Sequence, residues 1–111
     1  IAGGATRQQS VRAGLVALDG PAAPDAVLVH DAARPFVPSA MVERLLSALE
    51  TDPGACPALP VVDSLRRGDG MIEAEVDRDR LWRVQTPQAF RFRMLADAHA
   101  RAGEGATDDA E

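Results

Sequence analysis

A short polar segment after an apolar run carries the residue types best suited to chemistry in this sequence. Asp31 and Arg34 come directly after the apolar residues 26–29. In open α/β sheets ligands bind at the carboxyl ends of the strands, so a site is expected here. A carboxylate can help to hold Mg²⁺, which also takes oxygen ligands from water and phosphates. Arginine can bind an anionic oxygen through two parallel hydrogen bonds, so the segment predicts a site for a metal and an anion.

The same two side chains also have a structural interpretation, which their spacing leaves open. Asp31 could cap a turn, and Arg34 could pair with it at the surface. The two histidines are expected to be structural, because His30 follows an apolar strand and His99 lies on a helix without clustered partners.

Composition places the chain among soluble, single-domain proteins. Its 111 residues are 46% hydrophobic and 26% charged, close to globular averages. A body of this size buries about 65% of its unfolded surface, and no apolar run approaches the roughly 18 residues of a membrane-spanning helix. The net charge of -5 opposes broad binding to nucleic acid or anionic membranes. All twelve basic residues are arginine, so guanidinium groups must hold any anion locally.

Cysteine content and the two chain ends bear on where the protein works and how complete the chain is. The single cysteine, Cys56, lies in a predicted strand and is expected to be a small buried hydrophobe. It excludes an internal disulfide and a cysteine-based zinc site, and favours a reducing cytoplasm. The chain begins at Ile1 without a leader, and residues 107–111 are helix-starting types with no helix after them. We therefore expect a piece truncated at both ends.

Three helices are expected from capping signals and apolar residues at helical spacing. Thr6 and Gln9 match a capping box for a helix over 7–18. Ser39 is expected to cap a second helix, and a third is expected over 91–102. The apolar stripe of the second helix is formed by Val42, Leu45, Leu46 and Leu49.

The strands are expected between these helices. The apolar run 26–30 suits a strand covered on both faces, as in a parallel sheet. Residues 56–62 are the next strand candidate, although two prolines remove ladder donors. Residues 61–67 and 71–76 flank the turn 68–70 and predict a β-arm, which needs another body, such as a neighbouring subunit, for support. This order predicts an α/β layer fold interrupted by an arm.

Residues 30–37, His-Asp-Ala-Ala-Arg-Pro-Phe-Val, closely resemble the signature of the 2-C-methyl-D-erythritol 4-phosphate cytidylyltransferases. Four further motifs occur in the family's order. They are Gly3–Arg7 with Ser10–Leu15, Val76–Arg78 with Leu81–Trp82, Gln85–Gln88, and Thr107–Ala110. Five ordered motifs over nearly the whole chain are much more specific than any one of them.

The resemblance implies a Rossmann-like nucleotidyltransferase sheet with a protruding β-arm, residues 61–80, in a partial cytidylyltransferase domain over 1–111. The arm would exchange across a homodimer. In the family's reaction the phosphate of methylerythritol phosphate attacks the α-phosphate of CTP, and pyrophosphate leaves, with Mg²⁺ as cofactor. The implied partners are CTP and a sugar-alcohol phosphate, in the non-mevalonate route to isoprenoid precursors, with no nucleic acid and no membrane.

Three catalytic residues are implied by position in the family's motifs. Asp31 matches the metal and substrate carboxylate, and Arg34 matches a contact to the substrate phosphate. Thr86 matches a hydroxyl donor in the same pocket.

Two further groups are implied to bind the nucleotide and the substrate. Gly4, Ala5 and Ser10 match the cytosine side, where small residues let backbone groups approach the base. Arg78 matches the arm residue that reaches the partner's active site, and Ser64 replaces the family's usual threonine while keeping the hydroxyl. The structural alternatives are a simple turn for the first group and a solvated charged hairpin for the second.

The sequence departs from the family by lacking its glycine-rich phosphate loop, and it contains no lysine. Those groups would hold the triphosphate, so we expect the 111 residues alone to be inactive. We also expect them to fold poorly, because an internal sheet edge and an apolar face would be exposed. Some family members continue into a 2,4-cyclodiphosphate synthase. The Ala- and Arg-rich, lysine-free composition resembles that of high-GC bacterial proteins, among which such fusions occur.

Two other functions remain open at this point. A ribitol 5-phosphate cytidylyltransferase would share the metal carboxylate and the 85–88 motif, although residues 77–82 favour methylerythritol phosphate. A non-catalytic dimerisation module is the second alternative. The joint presence of Asp31, Arg34, Arg78 and Thr86 argues against it.

Overall fold

The computed structural model describes residues 1–102. Its elements are α1 Arg7–Leu18, β1 Ala26–Val29, α2 Ser39–Ala48, β2 Gly54–Ala55, β3 Ala58–Pro60, β4 Leu65–Gly68, β5 Ile72–Val76, β6 Trp82–Val84, β7 Gln88–Arg91 and α3 Phe92–Arg101. The helix predicted over 7–18 is confirmed at both ends, whereas the motif at 107–110 lies outside the described residues. Across residues 1–102, no helix is long and apolar enough to cross a membrane.

Within residues 1–102 the main sheet has three strands in the order β1-β7-β2, and both pairs are antiparallel. Val29 lies opposite Gln88, and Gly54 lies opposite Phe90. The parallel pairing predicted from the apolar run is therefore not seen among the described strands. A continuous apolar run indicates that both faces of the strand are covered, but it does not indicate the direction of the neighbouring strand. In this fold helices cover both faces of an antiparallel sheet.

β1 separates two apolar clusters, one on each face of the sheet. Val27 and Val29 pack against the first cluster, whereas Ala26 and Leu28 pack against the second. The first consists of Leu15, Phe92 and Leu95, and the second of Leu45, Leu49 and Ala89. Alternate residues of a strand face opposite sides of its sheet, so one four-residue strand contributes to both cores.

The caps of the first two helices differ in kind. Thr6 Oγ1 accepts a hydrogen bond from the N–H of Gln9 at 3.1 Å, and Gln9 Oε1 accepts one from the N–H of Ala5 at 2.8 Å. The capping box is therefore present, with the glutamine reaching one residue further back than usual. Ser39 is not the cap that the sequence predicts, because it is already helical and Pro38 is the N-cap, without a side-chain hydrogen bond.

Of the strand predicted over 56–62 only β3 forms, and Cys56 lies before it, between β2 and β3, with an exposed side chain. β2 ends at Ala55 and pairs with β7, whereas β3 begins at Ala58 and pairs with β6. The cysteine therefore lies where the chain leaves the main sheet for a two-stranded ribbon. The expected burial of its thiol is wrong for this reason.

β4 and β5 pair into a hairpin, with a bulge between Arg67 and Gly68. Gly70 in its turn has a φ of 81°, a left-handed conformation that glycine adopts without strain. Met71 and Ile72, at the tip, are 79% and 76% exposed. The hairpin thus forms where the sequence predicts one, and its tip carries large apolar side chains in contact with solvent.

Candidate active site

The predicted site forms where the end of β1 meets the start of β7. Because Val29 lies opposite Gln88, the residues just after β1 lie beside those just before β7. The backbone N–H of Asp31 donates to Thr86 Oγ1 at 3.3 Å, a bond between residues 55 positions apart in the sequence. Asp31 and Thr86 are both half-buried, and the structure brings these two predicted residues together.

Arg34 lies in the loop after β1 and belongs to the same junction. The backbone N–H of Arg34 donates to the carbonyl oxygen of Asp31 at 3.0 Å. The ring Nε2 of His30 contacts the carbonyl oxygen of Arg34. The guanidinium Nη1 of Arg34 donates to Gln85 Oε1 at 2.7 Å. The structural alternative is a surface pair between Asp31 and Arg34. The guanidinium of Arg34 is instead bonded to the neutral amide of Gln85, the residue before Thr86.

Arg7 brings a second guanidinium group to Asp31. Arg7 Nη2 lies 3.9 Å from Asp31 Oδ1, and the two side chains are 37% and 43% exposed. Such an open pair contributes less than about 1 kcal/mol to stability, because water screens it. The pair connects the first turn of α1 to the segment just after β1.

The residues implied to face the cytosine form a turn before α1. The N–H of Gly4 donates to Ser10 Oγ at 3.0 Å, and the N–H of Ala5 donates to Gln9 Oε1. A Cβ on Gly4 would lie 2.3 Å from the Cβ of Gln9, so only glycine fits. The structure brings Gly4, Ala5 and Ser10 together on an exposed surface.

Ser64 and Arg78 lie at the base of the hairpin, just before β4 and just after β5. Both are exposed, and Arg78 Nη1 donates to the carbonyl oxygen of Val62. Within the described residues, neither side chain is bonded to Asp31 or Thr86. The arm residues therefore form a group separate from the junction in a single chain.

Asp31 is the carboxylate available for a metal at the junction. In residues 1–102 there is no group of three or more His, Cys, Asp and Glu side chains that could hold an ion. These residues therefore do not form a metal site in which every ligand comes from the protein. One half-exposed carboxylate fits Mg²⁺, which keeps several waters and binds substrate phosphates in addition to one or two carboxylates.

Arg7 and Gln85 are site residues that the sequence does not single out. Both fall inside segments that resemble family motifs, but Arg7 is one of twelve arginines and Gln85 is uncharged. The sequence signals for Gln85 are its place in the 85–88 motif and its position next to Thr86. The contact to Arg34 spans 51 positions, and no local pattern predicts it.

Two solved structures share the fold of this chain. The enzyme from Thermus thermophilus, described as 2-C-methyl-D-erythritol 4-phosphate cytidylyltransferase, has a TM-score of 0.86 and 45% identity over 99% of this chain and 54% of its own. The bifunctional IspDF from Campylobacter jejuni has a TM-score of 0.80 and 31% identity over 99% of this chain and 27% of its own. The expected Rossmann-like nucleotidyltransferase fold with its arm is therefore confirmed.

The family itself follows from the sequence comparisons. Residues 1–111 match the family described as IspD, 2-C-methyl-D-erythritol 4-phosphate cytidylyltransferase, and the chain belongs to that family. The Bifunctional enzyme IspD/IspF of Rhodospirillum rubrum is 54% identical over 99% of this chain, and its namesake in Granulibacter bethesdensis is 53% identical over 99%. The chain spans 29% of the length of each of these two curated relatives.

Proposed function

We propose that the full-length protein carrying this chain transfers CMP from CTP to 2-C-methyl-D-erythritol 4-phosphate, with release of pyrophosphate. The step would belong to the non-mevalonate route to isoprenoid precursors. The observation that carries the proposal is the junction of Asp31, Arg34 and Thr86 in a chain of the IspD family. The chain spans only part of its relatives, so the activity is proposed for the longer protein.

Joining two phosphate groups requires that both be held in line and that their charge be compensated. We assign the acceptor phosphate to Arg34, whose guanidinium has N–H groups beyond the one bonded to Gln85. An oxygen of that phosphate attacks the α-phosphorus of CTP. The bond from this phosphorus to the bridging oxygen of the β-phosphate breaks, and pyrophosphate leaves. The Thr86 hydroxyl can donate to a phosphate oxygen while it accepts from Asp31, because a hydroxyl does both.

The nucleotide and its metal are assigned to the neighbouring groups. Asp31 would hold Mg²⁺, which when bound neutralises phosphate charge. Gly4, Ala5 and Ser10 would face the cytosine, and their position together on an exposed surface supports an approach of the base to the backbone.

We also propose that the arm completes the site of a second subunit in a homodimer. A two-stranded hairpin is marginal in water, and the exposed Met71 and Ile72 at its tip need a partner surface. Arg78 and Ser64 lie at the hairpin base, where exchange of arms would carry them into the partner's site as substrate contacts. The exposed thiol of Cys56 agrees with a reducing cytoplasm as the location.

The test is pyrophosphate release by the full-length protein from CTP and Mg²⁺, with methylerythritol phosphate and ribitol 5-phosphate offered in parallel. Turnover with methylerythritol phosphate alone supports the proposal. Preference for ribitol 5-phosphate would reassign the acceptor. A folded protein that turns over neither acceptor would contradict catalysis and favour a dimerisation module.

We further propose that the full-length protein is a fusion with a cyclodiphosphate synthase. The curated relatives named above are called Bifunctional enzyme IspD/IspF, which supports this organisation. The mass of the purified full-length protein and an assay for cyclodiphosphate formation decide the point. A protein with only cytidylyltransferase activity and little more than twice the length of this chain would contradict it.

A further inference from the structure

We propose, building on the proposed function, that Gln85 is a positioning residue that holds the Arg34 guanidinium for the acceptor phosphate and leaves its positive charge intact. The two residues are joined by the bond of 2.7 Å from Arg34 Nη1 to Gln85 Oε1.

Arg34 needs such a partner because its surroundings leave it free to move. It is exposed and lies in the irregular segment between β1 and α2, where a long side chain has many rotamers. Its backbone is held by the turn to Asp31, but that bond does not direct the guanidinium. The bond to Gln85 is the side-chain contact that selects one direction.

Gln85 is itself anchored. It is half-buried, and its backbone N–H donates to the carbonyl oxygen of Pro57 at 2.9 Å, which ties it to the start of the β3-β6 ribbon. The next residue, Thr86, holds the backbone of Asp31, and Pro87 after it is buried. The adjacent residues Gln85 and Thr86 thus hold the same loop at two points, Thr86 at the backbone of Asp31 and Gln85 at the side chain of Arg34.

The chemical type at position 85 matters because the partner is neutral. A glutamate there would bind the guanidinium more strongly, but its negative charge would oppose a phosphate approaching Arg34. Among the described residues, no carboxylate forms an ion pair with Arg34. An amide therefore orients the cation without competing with the substrate for its charge.

Steady-state kinetics of the full-length protein test this assignment. Gln85→Leu removes the acceptor and is expected to raise the KM for the acceptor phosphate about 10-fold, with kcat and the KM for CTP within about 2-fold. Gln85→Glu keeps an oxygen acceptor for Arg34 but offsets the positive charge of the guanidinium. It is expected to raise the KM for the acceptor phosphate at least as much as Gln85→Leu does. In an Arg34→Ala background neither change should add a further loss, because both act through Arg34. An unchanged KM in Q85L, or a loss that persists without Arg34, would overturn the proposal.

A second measurement does not depend on turnover. Inorganic phosphate is titrated into the same full-length proteins while the Nε–H resonance of Arg34, identified by its loss in R34A, is followed by NMR. We expect phosphate to bind about 10-fold more weakly in Q85L and Q85E. Equal binding in all three proteins contradicts the role of Gln85 even if the wild type is not a cytidylyltransferase. A wild type that binds phosphate through Arg34 but turns over neither acceptor contradicts the proposed function alone.

Discussion

The hydroxyl of Thr86 accepts the backbone N–H of Asp31 at 3.3 Å, and this bond joins the loop after β1 to the strand that begins at Gln88. The bond fixes the position of the Asp31 backbone, from which the carboxylate side chain projects. It also leaves the hydroxyl hydrogen of Thr86 available for a phosphate oxygen. A structural contact and a proposed catalytic contact thus share one oxygen atom.

Thr86→Val tests this double use. Valine keeps the shape but removes both hydrogen-bonding functions, so kcat/KM for the full-length enzyme is expected to fall about 10-fold or more. Thr86→Ser keeps the hydroxyl and should retain most of the activity. A larger loss in T86S than in T86V would show that the methyl group, rather than the hydroxyl, is what the site requires.

Asp31→Asn tests the metal assignment. The amide keeps the size but loses the charge, and we expect kcat to fall at least about 100-fold and the Mg²⁺ concentration for half-maximal activity to rise. Asp25→Asn is the matched control, because Asp25 is an exposed carboxylate just before β1. D25N should behave as wild type. An unaltered Mg²⁺ response in D31N would remove Asp31 from the metal site.

Arg78→Ala tests whether the arm acts in trans. We expect R78A to lose activity, while Arg67→Ala, on an exposed position of the same arm, remains near wild type. Mixing inactive R78A and D31N should restore about a quarter of the wild-type sites, because half of the dimers are hybrids with one intact site each. No recovery after subunit exchange would place Arg78 in its own subunit's site.

Gly4→Ala and Gly14→Ala form a matched pair on one segment. A Cβ at Gly4 meets Gln9 at 2.3 Å, whereas one at Gly14, inside α1, meets nothing within 4 Å. We expect G4A to lower the free energy of unfolding by about 1–3 kcal/mol and to raise the KM for CTP. G14A should raise the free energy of unfolding by about 0.5–1 kcal/mol, because alanine favours helix. Denaturant unfolding of the full-length protein measures both, and equal effects would contradict the geometry.

The Asp19–Arg93 pair ties the end of α1 to the start of α3 and gives stability a pH dependence. The hydrogen bond from Arg93 lowers the pKa of Asp19 below its usual value. This contribution is complete above the unfolded pKa of about 3.9 and is lost as the pH falls through the lower folded pKa. Arg93→Gln should therefore melt slightly below wild type at pH 7, and the difference should vanish in acid. A difference that grows below pH 4 would contradict the pairing.

Local features of the fold could be predicted from the sequence because their causes are local. α1 begins as expected since Thr6 and Gln9 cap its first turn. The cap predicted at Ser39 is wrong because the helix already includes Ser39, and the N-cap is Pro38, which makes no side-chain hydrogen bond. In the apolar stripe of α2, Leu46 is 42% exposed although Leu45 and Leu49 are buried, since spacing does not show how wide the covered face is.

Long-range features could not be predicted because nothing near them in the sequence reports them. The antiparallel pairing of β1 depends on β7, about 60 residues later, and an apolar run carries no direction. Asp31 and Arg34 are expected from their place after an apolar strand, whereas Thr86 is expected only from the family's motif. The structure brings the three together at one junction. The arginine and glutamine that complete the junction, Arg7 and Gln85, depend on contacts that only the folded chain makes.

The alternation along β1 has a consequence for dynamics. Val27 and Val29 belong to one core, Ala26 and Leu28 to the other, and Asp31 follows two residues later. Loosening of either core would let the end of this strand fluctuate and would break the bond to Thr86. The amide proton of Asp31 is therefore a single exchangeable hydrogen whose protection against solvent reports on both halves of the interior at once.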